Sequence, residues 1–172
     1  ILVTADEANG VYTQEVQQEE IMASSSFKPA HKTFEFLHDR VQQAAYSLLS
    51  EEEKKKWHLN IGRIILKNTS LNNLEDKILS IMDHFNRSLN LISDPEEKLE
   101  LAEYNLMAGW KARDSAAYDA ALNYFRCGMS LLPNDAWEKA YELTYEIYLE
   151  LAQAEYIYSN VDIAEDLFNR SE

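Results

Sequence analysis

From Val41 onward the apolar residues recur at helical spacing, beginning with Val41, Ala44, Ala45, Leu48 and Leu49 on one face of a first helix. Ser50-Glu51-Glu52-Glu53 then reads as a capping box that opens a second helix. Ser50 can accept an amide proton from the first turn, Glu53 can reach back, and the acids suit the positive end of the helix dipole. This helix carries Trp57, Ile61, Ile64 and Ile65 and runs out at Asn68-Thr69-Ser70. The spacing of Ile78, Ile81, Met82, Phe85, Leu89 and Ile92 predicts a third helix that continues through Ile92. Asp94-Pro95 starts a fourth, because Asp94 can cap and a proline at the first helical position gives up no needed donor. It holds Leu99, Ala102, Leu106 and Gly109. Ser115 is expected to cap a fifth helix, which Pro133 stops after Leu132. Asn134 or Asp135 should open a long, unbroken sixth. Its stripe Trp137, Ala140, Thr144, Ile147, Leu151, Ala154, Tyr158 advances by threes and fours. Ser159-Asn160 ends that helix, and Ile163, Ala164, Leu167 and Phe168 mark a short seventh.

The first 33 residues carry a weaker pattern. Ile1-Leu2-Val3 with a turn at Asn9-Gly10 suggests a hairpin, with a helix or disorder as alternatives, and Ser24-Ser25-Ser26 reads as flexible. Thr33-Phe34-Glu35-Phe36-Leu37 alternates polar and apolar, as a short strand feeding the first helix would.

Gly109, Tyr118, Ala121, Phe125, Gly128 and Pro133 fall at the spacing of the tetratricopeptide repeat. Small residues at Gly109, Ala121 and Gly128 would let two antiparallel helices approach closely, with Tyr118 and Phe125 filling the space beside them. Ala152, Val161, Ala164 and Phe168 form a second copy about 43 residues on, longer than the usual ~34. The expected fold is therefore mainly α: a right-handed superhelix of stacked antiparallel helix pairs, a tetratricopeptide-like α-solenoid.

Composition supports this and narrows the chemistry. The 172 residues are 46% hydrophobic with only 4 Gly and 3 Pro, enough for a core and too few turn formers for an all-β architecture. Sixteen Lys+Arg against 30 Asp+Glu give a net charge of −14, a surface that repels nucleic acid and anionic membrane. Charges interrupt every run that could span a bilayer, no leader is visible, and Cys127 has no internal disulfide partner, so a cytoplasmic chain is expected. Starting on Ile1 rather than Met points to a piece of something longer.

Few groups suggest catalysis. His31, His38, His58, His84 and Cys127 show no metal-ligand spacing, so no metal is expected. His84 reads as a partly buried histidine satisfied by a neighbour, and Cys127 as a small residue packed in a helix pair. No phosphate-binding glycine loop and no nucleophile elbow occur, so an enzyme is not expected. Glu51 with Lys55 and Glu52 with Lys56 form favourable i,i+4 pairs. Glu138, Glu142, Glu146 and Glu150 form a like-charged row opposite the stripe from Trp137 to Tyr158, facing either water or a basic partner. Tyr141, Tyr145 and Tyr148 have two readings, packing between helices or, with Glu142 and Glu146, contact with a partner peptide.

Phe36-Leu37-His38-Asp39-Arg40-Val41-Gln42-Gln43-Ala44-Ala45-Tyr46 resembles the segment after the ATPase core of large multidomain signalling kinases. In these a Ser/Thr kinase, a STAND-type ATPase, a helical repeat region and often a GAF plus histidine kinase module share one polypeptide. The resemblance continues through His58-Leu59-Asn60-Ile61-Gly62-Arg63, Asp83-His84-Phe85-Asn86-Arg87 and Asn105-Leu106-Met107-Ala108-Gly109, spanning Thr33 to Asn169. It implies that residues 1–49 end a small mixed or winged-helix-like subdomain and 50–172 form the helical repeat domain. The chain would then be a noncatalytic regulatory segment that couples nucleotide state to output, its partners being neighbouring domains or a protein or peptide. Leu37-His38-Asp39 also resembles the Met-His-Asp motif of related nucleotide switches, which implies that His38 and Asp39 sense bound ADP. The other reading of His38 is a brace at the strand-to-helix junction, with Asp39 at the helix N-terminus. The fragment itself needs no cofactor, ATP or ADP belonging to the parent protein. A free-standing peptide-binding adaptor is the alternative.

Overall fold

The computed structural model describes the backbone of Leu2–Thr4 and Phe34–Phe36 and, with side chains, residues 43, 44 and 46–171. It divides into two compact units, Ile1–Lys54 and Lys55–Glu172. In the first, β1 (Leu2–Thr4) pairs antiparallel with β2 (Phe34–Phe36), Leu2 opposite Phe36 and Thr4 opposite Phe34. The strand expected at Thr33–Leu37 is thus present, and Leu2–Thr4 is its partner. Asn9-Gly10 lies outside the described residues. Gln43, Ala44, Tyr46 and Ser47 are helical, as the periodicity from Val41 predicts.

The capping box forms as read. Glu53 Oε2 accepts from the Ser50 amide at 2.9 Å and from its hydroxyl at 2.7 Å, while the Glu53 amide donates to Ser50 Oγ at 3.3 Å. Helix α1 (Glu51–Lys67) follows, and Lys54 pairs with Glu51 one turn back at 2.7 Å.

In the second unit the remaining helices are α2 (Leu71–Asn86), α3 (Pro95–Asp114), α4 (Tyr118–Leu131), α5 (Ala136–Lys139), α6 (Tyr141–Ile157) and α7 (Val161–Ser171). Asp94 caps α3 by accepting from the Glu97 amide at 2.9 Å. Helix α3 packs between α2 and α4, and α4 packs on α6, which pairs with α7. That central place explains why α3 buries Leu101, Ala102, Asn105, Leu106, Ala108, Gly109 and Ala112, residues spread over more than one face. No helix among the described residues is long and apolar enough to cross a membrane.

Close approach of α3 and α4 depends on glycine. A Cβ on Gly109 would stand 2.2 Å from Phe125 Cε1, so the buried ring lies directly on the α3 backbone. Gly128 faces the Ala102 carbonyl and the Asn105 side chain in the same way, at 3.3 Å. Tyr118, expected to fill space beside Phe125, is instead 47% exposed.

Three helix boundaries differ from the periodic reading. Helix α2 stops at Asn86, and Leu89–Leu91 is a separate 3₁₀ turn, because the buried Ser88 hydroxyl bonds back to the carbonyls of His84 and Phe85 and closes the helix. Ser115 completes the last turn of α3 through amide bonds to Lys111 and Ala112 and does not cap α4. The expected long sixth helix is broken at Ala140 (φ −143°, ψ 51°) into α5 and α6.

The two helix pairs turn the same corner. After α3, Ala116 sits at φ 59°, its amide bonds Arg113 O at 2.8 Å, and the Ala117 amide bonds Ala112 O at 2.9 Å. After α6, Ser159 sits at φ 62°, with the Ser159 amide on Tyr156 O and the Asn160 amide on Glu155 O, both at 2.9 Å. Each is the 6→1 and 5→2 bonding of a Schellman ending, with an alanine or serine where glycine is usual. Every bonded position in the second corner lies 43 residues after its counterpart, the displacement read from the sequence.

Candidate functional site

The break at Ala140 builds an exposed aromatic face in the second unit. In an unbroken helix Trp137 and Tyr148 would stand about 16 Å apart along the axis. Here their ring centroids are 5.1 Å apart, because α5 folds back on α6. Trp137 also lies 5.7 Å from Tyr141, which stacks on Tyr145 at 6.2 Å with ring planes 13° apart. Tyr141 is 57% and Tyr145 39% exposed, with Tyr148 half-buried at the inner edge. Of the expected surface, Tyr141, Tyr145 and Tyr148 are thus brought together, and Trp137 joins them. The i,i+4 and i,i+3 spacing of the tyrosines was visible in the sequence. The fold-back of Trp137 was not.

Glu142 and Glu146 are exposed one turn apart beside these rings. The row does not continue to Glu150. Eight residues advance the helix by about 80° beyond two full turns, which carries Glu150 round from Glu142 toward α3. There it accepts from Trp110 Nε1 at 2.8 Å and pairs with Arg113. Lys139 bonds Asp135 at 2.5 Å.

Buried and half-buried polar ties hold the helices of the second unit in register. Glu155, 2% exposed, accepts two bonds from Arg126 of α4 at 2.7 and 2.8 Å and one from Asn160 Nδ2 at 2.7 Å. Burial pushes its carboxyl up, but Arg126 and Asn160 outweigh it and hold the group below the ordinary range. Asn105, fully buried, exchanges amide bonds with Asn86 at 2.8 and 3.2 Å. Tyr124 donates to Asp83 at 3.0 Å, and burial with that neighbour pushes its phenol far up.

Across α1 and α2, His58 Nδ1 and His84 Nδ1 meet at 2.8 Å, so one ring donates and the other accepts. His84 is indeed half-buried and satisfied by a neighbour, and that neighbour is His58. No third ligand joins them in a metal-holding group among the described residues. Burial lowers both; His84 and Arg87 lower His58 further, and Arg87 lowers His84 against the opposing effect of Asp83. The neutral rings are favoured in the fold, so the unfolded chain takes up protons first as pH falls through about 6.5. The stabilisation is therefore complete above that pH and is lost as pH falls toward the folded values. The urea midpoint of the chain is expected to drop between pH 7.5 and 5.5, and His84→Gln to flatten that slope. An unchanged slope in the variant would remove the pair as its cause.

Between α2 and α3 an open groove of about 450 Å³ is lined by Glu75, Ile78, Met107, Trp110, Lys111, Asp114 and Ser115. Its amine, Lys111, is already engaged with the Glu75 carbonyl and, at 3.8 Å, with Asp76. Cys127 is half-buried on α4, and burial pushes its thiol up, away from the reactive thiolate. His38 and Asp39 lie outside the described residues.

No family model and no solved structure matches the chain. It is 33% identical, over 162 aligned residues, to Hybrid signal transduction histidine kinase G of Dictyostelium discoideum. The chain resembles a segment of a signalling protein. The alignment covers 80% of the chain but only 5% of that kinase, so the chain spans a short stretch of its relative.

Proposed function

We propose that the chain is a noncatalytic interaction and regulatory segment of a multidomain signal-transduction ATPase or kinase in the cytoplasm. In this reading the helix pairs stack as a right-handed, tetratricopeptide-like solenoid, and the N-terminal unit ends a winged-helix-like subdomain. Nucleotide, ATP or ADP, is held elsewhere in the longer protein, with His38 and Asp39 reporting its state by analogy. Two packings of such helix pairs, favoured differently by the two nucleotide states, would carry the signal to the output domains.

The observation that supports this best is the repeated corner, identical in hydrogen bonding at Ala116 and Ser159, in a chain similar to part of a signalling histidine kinase. Repeating helix pairs expose long surfaces suited to protein contacts. The purified chain is expected to hydrolyse ATP no faster than a protein-free control. Turnover that His38→Ala abolishes would overturn the noncatalytic reading.

The exposed ring stack keeps a second reading in view, a free-standing adaptor for a partner peptide. The coding sequence before Ile1 separates the two. An in-frame phosphate-binding loop with kinase motifs supports the switch, and a start codon immediately upstream supports the adaptor.

A further inference from the structure

Stacked rings and paired carboxylates stand side by side on the exposed half of α6. Setting Ile147 at the centre of the buried face, helical geometry places Tyr141 and Tyr145 at about 120° and 160° and Glu142 and Glu146 at about 220° and 260°. The rings and the acids are thus neighbouring rows, each one turn long or more. Glu142 and Glu146 have no hydrogen-bond or ion-pair partner among the described residues. Lys139, the nearest cation in sequence, is turned to Asp135. Like charges one turn apart repel, and an outside cation would relieve that repulsion.

We propose that this face, Trp137, Tyr141, Tyr145 and Tyr148 with Glu142 and Glu146, binds an arginine-bearing peptide segment of a protein partner. The proposal rests on the interaction role above and names its chemistry. A guanidinium is flat, so it lies over an exposed tyrosine ring and still presents its edge to a carboxylate. It is also more weakly hydrated than an ammonium, so less is lost when the ring displaces its water. Two stacked rings beside two carboxylates one turn apart would seat two arginines spaced along the peptide. The net charge of −14 draws any cationic segment toward the chain, and the ring row makes this face prefer arginine.

The test is a fluorescence-anisotropy titration of the whole chain with a labelled peptide of alternating arginine and glycine at 150 mM salt. Controls are the lysine peptide of equal charge and a neutral proline-rich peptide. Saturable binding is expected, tighter for arginine than for lysine. Tyr141→Ala with Tyr145→Ala changes no charge and should weaken it about tenfold, since each exposed cation–π contact contributes only modestly. The double Tyr→Phe variant should bind like the parent, and Glu142→Gln with Glu146→Gln should weaken binding. These side chains are solvent-exposed, so circular dichroism and thermal midpoint are expected to match the parent, and the Tyr→Phe pair guards against a misfolded alanine variant. Equal binding of arginine and lysine peptides, or full binding by the alanine variant, would reduce the effect to bulk charge and overturn the proposal. Preference for the proline-rich peptide, or no binding, would overturn it too. Either failure leaves the signalling reading standing, because that reading is judged by ATP turnover and the upstream coding sequence.

Discussion

Gly109→Ala is expected to destabilise the chain by about 2 kcal/mol, although alanine is the better helix former. The intrinsic gain is about 1 kcal/mol. Against it, the new Cβ would stand 2.2, 2.5 and 2.7 Å from Cε1, Cδ1 and Cζ of Phe125, a ring 1% exposed. Forcing a methyl into so closed a contact costs about 3 kcal/mol, the upper end of the usual overpacking range. Gly109→Val, with two further carbons, should prevent folding of the α3–α4 pair at ordinary temperatures. Thermal and urea unfolding of Gly109→Ala, Phe125→Leu and the double variant give the decisive comparison. The smaller side chain should recover most of the loss in the alanine background, a coupling the cycle isolates. A Gly109→Ala protein as stable as the parent would mean the ring does not rest on that backbone.

Arg126→Met should cost about 3 kcal/mol at neutral pH. The arginine is itself half-exposed, and what matters is the Glu155 carboxylate it leaves behind, 3% exposed and then held only by Asn160. Glu155→Gln, which keeps a polar partner for Asn160, should cost nearer 1 kcal/mol. The pH dependence follows from the direction of the shift. Because the folded carboxyl titrates below about 4.5, its contribution is complete above that pH and is lost as pH falls through the folded value. In Arg126→Met burial is left to act with little opposition and raises the group, so acid should stabilise the variant relative to neutral pH over the range where the parent weakens. Urea midpoints from pH 7 down to about pH 3 measure this, and parallel profiles for parent and variant would rule out the ion pair as its source.

Much of the fold was legible because its elements begin with local signals. Ser50 with Glu53 and Asp94 with Pro95 each act within one turn, so composition and order suffice to find them. The repeat was legible for a related reason. Gly109 and Phe125 are tied to helix packing, so their spacing leaves a trace in the chain. The break at Ala140 left none, since alanine favours helix and the departure is made by Trp137 packing back on Tyr148, a contact between residues eleven apart. Ser115 was misread because serine serves either end of a helix, and the deciding bonds come from the preceding turn. Of the candidate site, Tyr141, Tyr145, Tyr148, Glu142 and Glu146 were grouped by their spacing along one helix, whereas the Arg126–Glu155 and His58–His84 contacts join residues 29 and 26 positions apart. No local pattern encodes such pairs.

Among the described residues, glycine and the corners have exchanged their usual places. Gly62 lies against Phe85, Gly109 against Phe125 and Gly128 against Ala102 and Asn105, each inside a helix contact, while the left-handed corners fall to Ala116 and Ser159. A side chain at such a corner is strained by about 1 kcal/mol, and a residue so placed does not bend the chain by itself. The corners are held by the packing of the helices on either side. The stability of each corner is thus borrowed from the helix pair around it, and the loops record the packing rather than direct it.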